Sequence, residues 1–145
     1  MDLSSKGIAQ TGAVIVGAAY LAGGVIGFFL TGFTDFVQDT DDNLLIFSIN
    51  PFHNVVHLGI GAYLLIVSRV DRPTTEGALI GGGLVYLLAA FLGLTNNLQI
   101  LSMEGAGEPD NVLHIVSGAA AFGLGLFSVA LNASSERRGD PLEQR

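Results

Sequence analysis

Cysteine and tryptophan are absent from this 145-residue chain, and charge is scarce, with six Lys/Arg against 13 Asp/Glu. Without cysteine there is no disulfide, thiolate metal site or dithiol relay, which excludes the four-helix quinone-linked thiol oxidoreductases. A net charge of −7 with few, scattered basic residues excludes a nucleic-acid partner. Charged residues make up 13% of the chain, about half the usual soluble share, although the apolar fraction of 50% is ordinary.

What is present explains that shortage. The charges are bunched and leave four charge-free windows, Gly7 to Thr34, Asn43 to Ser68, Gly77 to Met103 and Asn111 to Ser135. A helix of about 20 apolar residues crosses the roughly 30 Å core of a bilayer, and each window exceeds that length. The sequence therefore predicts an all-α integral membrane four-helix bundle in residues 1–133, with helices near 8–33, 51–68, 77–96 and 110–132. Residues 134–145, polar and mixed in charge, are expected to form a flexible cytoplasmic tail. No connection is long enough for a separate soluble domain.

Orientation follows from the six cations. Lys6, Arg69, Arg72, Arg137, Arg138 and Arg145 all fall on one side, so the positive-inside rule places both termini and the central loop in the cytoplasm. The outward loops are acidic, with Asp35, Asp39, Asp41 and Asp42 in one and Glu104, Glu108 and Asp110 in the other. In the first of these, Leu44–Phe47 is expected either to lie on the outer leaflet as a short amphipathic segment or to fold over the bundle.

The windows are not independent. Gly17, Tyr20, Leu21 and Gly27 recur as Gly83, Tyr86, Leu87 and Gly93 with identical spacing, 66 residues later. His53-Asn54-Val55-Val56-His57 is matched 57 residues later by Asp110-Asn111-Val112-Leu113-His114. The chain thus reads as two parallel helical-hairpin repeats, related by an axis along the membrane normal. Asn50-Pro51 and Glu108-Pro109-Asp110 supply helix starts, with a capping side chain or acidic groups next to a proline. Small residues offer packing faces at Gly23 and Gly27, at Gly77 and Gly81, and along Ser117, Ala121 and Gly125.

All three histidines lie near the outer ends of helices two and four. At 1.5 Å per residue, His57 is about 9 Å below Pro51 and His114 about 7.5 Å below Pro109, which puts them at matching depth. His53 is one turn above His57, and Asp110 one turn above His114. The candidate polar cluster is His53, Asn54, His57, Asp110, Asn111 and His114, with the asparagines bridging helices or fixing imidazole tautomers. Ionisable groups inside a span usually face the bundle interior and mark function.

The spacing leaves the occupant open. In one reading the polar residues satisfy one another and lock the hairpins; in another, His53, His57, Asp110 and His114 make a donor set for zinc, iron or copper. His57 and His114 are also a candidate axial pair for haem, and a quinone, a lipid headgroup or a proton are further occupants. No serine or cysteine nucleophile stands beside a base, no His-Glu-x-x-His helix occurs, and no phosphate-cradling loop precedes a lysine, so no enzyme is predicted. A compact bundle in contact with the lipid bilayer and other membrane protein subunits fits a non-catalytic accessory or assembly subunit of a larger complex. A metal- or haem-binding membrane protein is the alternative.

The Asn50-Pro51-Phe52-His53-Asn54-Val55-Val56-His57 segment, paired with Asp110-Asn111-Val112-Leu113-His114, resembles a family of bacterial four-helix membrane proteins of unknown function (DUF4383). The resemblance covers roughly residues 10 to 130. It implies the four-helix topology and a location in the bacterial plasma membrane, but no reaction, cofactor or substrate. The longer acidic stretch from Asp35 to Asn43 departs from the family pattern.

Overall fold

In the computed structural model, which describes residues 7–38, 42–103 and 105–138 (side chains of 135–138 excepted), the charge-free windows fold as helices. These are α1 (Ile8–Thr31), α2 (Pro51–Val67), α3 (Arg72–Leu94) and α4 (Pro109–Arg138). A two-stranded hairpin, β1 (Asn43–Leu44) and β2 (Phe47–Ser48), and a single 3-10 turn at Gln99–Leu101 fill the connections on one end. Of the cations and acids read from the sequence, Lys6, Asp39, Asp41, Glu104 and Arg145 lie outside the described residues, as does the tail segment 139–145.

Three helices, α1, α3 and α4, are long and apolar enough to cross a membrane. Helix α2 has 17 residues, about 25 Å of rise, at the short end of spanning lengths. Their outward faces carry large apolar side chains, among them Ile15, Phe29, Ile66, Phe91 and Val116, as a lipid-facing surface requires.

The helix starts follow the local chemistry. The Asn50 side chain accepts a hydrogen bond from the His53 amide at 2.8 Å, and Pro51 opens α2. Asp71 caps α3 in the same way, accepting from the Thr74 amide at 2.9 Å and hydroxyl at 2.8 Å, and these bonds hold its carboxylate below the usual range. That cap corrects the expected start of α3 near residue 77. In the sequence the last charge marks the boundary, yet Arg72 and Glu76 are inside the first turns, 4.0 Å apart. Helix α4 likewise runs to Arg138, past the expected end at 132, because neither glycine nor proline interrupts it after Gly125. The tail expected from residue 134 is therefore helical over its first five positions.

α1 packs chiefly on α2, and α3 chiefly on α4. Each pair is closed by backbone meeting backbone. A Cβ added at Gly17 would lie 2.9 Å from the Gly61 carbonyl oxygen, and one at Gly83 would lie 2.7 Å from that of Gly118. Gly27 makes room for the buried Asn54 amide, and Gly93 does the same for Asn111. Small residues thus permit the close approach that membrane helices use in place of a hydrophobic driving force.

The expected packing faces are only partly of this kind. Gly27 is packed against α2, and a Cβ at Gly23 would stand 3.7 Å from His57 Nδ1. Gly77 and Gly81 correct the expectation: a side chain at either meets open space, because both line a cleft of about 380 Å³ between α2 and α3. The third glycine of the Gly81–Gly83 run is the one turned toward α4.

A small apolar core of Ala9, Ala13, Leu64, Val67, Ala78 and Leu79 fills the end of the bundle opposite the hairpin. The hairpin end has a polar interior instead. Asn50 is fully buried there, and its amide donates to the carbonyls of Gln38 at 3.1 Å and Ile100 at 3.0 Å, tying both connecting loops to α2. The Leu44–Phe47 segment is a tight β-turn connection, with Leu45 at φ +62° and both Leu45 and Ile46 exposed at its tip.

Candidate functional site

The start of α2 and the start of α4 place the chemistry. With Asn50 and Pro51 fixing the first turn of α2, His53 points inward and is buried to 1% exposure. Pro109 begins α4, so Asp110 falls in its first turn and His114 one turn later on the same face. The two helix starts meet: His53 Nε2 stands 3.5 Å from Asp110 Oδ2, and His114 Nδ1 stands 3.6 Å from Asp110 Oδ1. One donor atom from each of His53, Asp110 and His114 lies within 4.8 Å of the other two, and all three residues are buried.

The bonding of these groups is incomplete. His114 Nδ1 is 2.8 Å from the Asp110 backbone carbonyl. A carbonyl only accepts, so in this bond Nδ1 is the donor. Neither ring nitrogen of His53 makes a well-formed hydrogen bond, although the Leu101 and Ser48 carbonyls lie near, and Asp110 Oδ2 is also unpartnered. Buried polar atoms left unpaired cost about 1–3 kcal/mol each, more where no water reaches them.

His57 was expected among the metal donors and stands apart from that group. Its ring is edge-on to His53, with centroids 4.5 Å apart, and edge-on to Tyr20 at 5.0 Å. Its Nε2 is buried without a partner. The ring of His114 stacks on Tyr86 at 5.0 Å and 19°. Tyr20 in turn lies against Tyr86, centroids 5.0 Å apart, so a tyrosine ring flanks each of His57 and His114. The Asn54 and Asn111 amides donate elsewhere than to the imidazoles. Asn54 donates to Thr31 Oγ1 on α1 at 2.9 Å, and Asn111 to the Gly105 carbonyl at 2.7 Å, so each clamps its own hairpin.

A groove of about 340 Å³ leads from the lipid-facing surface to this cluster. It runs between α1 and α4 under the hairpin, with His53, His57 and Asp110 at its inner end.

A second polar group was not recognised in the sequence. Glu76 of α3, 7% exposed, accepts hydrogen bonds from Ser128 at 2.7 Å and Asn132 at 2.6 Å, both on α4. The signal was available in the spacing: Arg72 and Glu76 are four apart, as are Ser128 and Asn132, each pair on one helix face.

No curated protein and no solved structure matches the chain. The sequence model of one family, described as a domain of unknown function, matches residues 10–127. That span holds all four helices but the ends of two, together with every residue of the cluster, and the chain belongs to the DUF4383 family.

Proposed function

We propose that this protein binds one divalent first-row transition metal ion, of the zinc or iron(II) class, through His53, Asp110 and His114. The observation that carries the reading is the pair of unpartnered groups, His53 Nε2 and Asp110 Oδ2, held 3.5 Å apart in a buried site. Donor atoms about 2.0–2.2 Å from a tetrahedral ion stand roughly 3.3–3.6 Å from one another, so this separation is that of two ligands on one metal. Two imidazoles and a carboxylate suit zinc and iron(II) in their mix of nitrogen and oxygen donors. The bond from His114 Nδ1 to the Asp110 carbonyl is the outer contact that orients a ligating imidazole. Three protein donors leave a tetrahedral ion one position short, as in sites that meet a further ligand.

A purely accessory role, with the cluster as a lock between hairpins, leaves both nitrogens of the buried His53 ring without a well-formed hydrogen bond. Elemental analysis of protein purified from its native membranes in mild detergent is expected to find about one metal ion per chain, retained through gel filtration. Metal-free protein that also fails to take up zinc or iron(II) would identify the 3.5 Å pair as an imidazole–carboxylate contact and overturn the reading.

The setting of the site is part of the proposal. The protein sits in the bacterial plasma membrane with both termini cytoplasmic, as the one-sided placement of Lys and Arg supports. The cluster then opens toward the outer leaflet. The absence of native cysteine makes this simple to test. In intact cells a membrane-impermeant thiol reagent is expected to label Gln99→Cys and to spare Val70→Cys; the reverse pattern inverts the topology. The two hairpins are read as repeats, supported by the matching Gly17–Gly61 and Gly83–Gly118 approaches and by the Asn54 and Asn111 clamps.

A further inference from the structure

The groove between α1 and α4 has walls and a floor of opposite character. Ile15, Val16, Ala19 and Leu113 line its sides, and Leu44 and Phe47 of the hairpin cover it. Ile15 on one lip is 61% exposed and Leu113 on the other 37%, so the groove opens sideways into lipid rather than into water. At its inner end stand His53 and His57, at least nine-tenths buried and with unpartnered ring nitrogens. An acyl chain that drifted into such a groove would match the walls and leave the imidazoles unpaired, at the cost of buried unsatisfied polar atoms.

The occupant that satisfies both ends has an apolar tail and an oxygen-bearing head. Charge narrows it further. Among the described residues no lysine or arginine lines the groove, and Asp110 sits at its floor, so an anionic phospholipid headgroup or a fatty-acid carboxylate is disfavoured. A volume of about 340 Å³ lies at the small end of ligand pockets, room for a ring and the start of one chain. Gly23 keeps the space in front of His57 open, since a side chain there would begin 3.7 Å from Nδ1 and grow into the groove. Tyr20, whose ring meets His57 edge-on at 5.0 Å, adds an aromatic surface at the same depth.

We propose that this groove binds a neutral, single-tailed membrane amphiphile whose head is a carbonyl-bearing ring, the chemistry of an isoprenoid quinone. The ring carbonyl accepts a hydrogen bond from a neutral imidazole of His53 or His57, and the tail leaves between α1 and α4 into the bilayer. The site adjoins the proposed metal site and shares two residues with it, but His57 lies outside the metal group, so binding does not depend on the ion.

The test is calorimetric titration of the purified protein in detergent with decylubiquinone, with n-decanol as the ringless control and metal content measured on the same samples. Saturable binding of decylubiquinone at one site, with decanol at least about tenfold weaker, is the expected result. Gly23→Leu and Ala19→Phe, which fill the groove from α1 without touching a metal donor, are each expected to weaken binding at least about tenfold while metal content stays at the wild-type value. Ala19 is on the exposed side of α1, so its variant keeps the test available if Gly23→Leu misfolds. Decanol binding as tightly as the quinone, no saturable quinone binding, or binding unaffected by either filled groove overturns the proposal. A protein that binds quinone but no metal retains this inference and loses the metal reading; the converse retains only the metal.

Discussion

Asp110→Ala is expected to strip the metal from the protein while the bundle stays folded. Asp110 is the only carboxylate in the group and stands between both imidazoles, 3.5 Å from His53 and 3.6 Å from His114. Its loss removes one of three donors and the single negative charge that offsets a divalent ion in a buried site. Loss of outer-shell contacts alone commonly weakens metal binding about 10–100-fold, so a direct ligand is expected to exceed about 100-fold. The fold depends on it far less, since an acidic group in the first turn of a helix is worth about 0.3–1 kcal/mol. Competition with a chelator of known affinity measures the first effect, and circular dichroism of the same sample checks the second. His57→Ala is the paired control and is expected to keep wild-type affinity, because His57 lies outside the donor group. If His57→Ala loses the metal and Asp110→Ala keeps it, the ligand set proposed above is wrong.

The second large effect falls on the scaffold. Gly83→Val places a branched side chain where a Cβ alone would stand 2.5 Å from the Phe122 amide nitrogen and 2.7 Å from the Gly118 carbonyl oxygen. Both obstacles are backbone, so no rotamer change relieves them, and α3 and α4 must separate. Ordinary overpacking costs about 1–3 kcal/mol, and a clash against helix backbone exceeds it. The expected result is loss of the monodisperse peak in gel filtration. Gly77→Val, on the same helix but turned to open space, is expected to elute as wild type. Gly17→Val meets the Gly61 carbonyl in the corresponding place, and if the two hairpins are equivalent it is expected to fail as Gly83→Val does. Survival of Gly17→Val alone would count against equivalence of the two hairpins.

These variants also mark what the sequence makes legible. Four helices follow from charge-free windows, and two of their starts from Asn50-Pro51 and Pro109-Asp110, because bilayer thickness and capping act locally. Meeting of His53 with Asp110 and His114 follows from spacing and matching depth. Residue spacing gives the face of a helix and not its rotation against a neighbour, which is why His57, on the same face as His53, still stands outside the donor group. For the same reason a Gly-x-x-x-Gly pattern at Gly77 and Gly81 does not say which side the partner helix is on. The correspondence of Gly83 with Gly17 in the sequence is the better guide, since both glycines approach the backbone of the next helix. Glu76 was hidden by its place at the edge of a window, where a charge reads as the end of a helix although Ser128 and Asn132 draw it inside.

The donor atoms of the cluster come from the second helix and the last, and Asn50 joins the loop ahead of α2 to the Ile100 carbonyl beyond α3. During synthesis the Asn50 tie must wait for the chain beyond α3, and the cluster cannot exist until α4 has joined the bundle. A chain halted after three helices carries His53 but neither Asp110 nor His114, and has no site to fill. Retention of a tightly held ion would therefore certify that biogenesis has run to its end, and a metal-free fraction would count the chains left unfinished in the membrane.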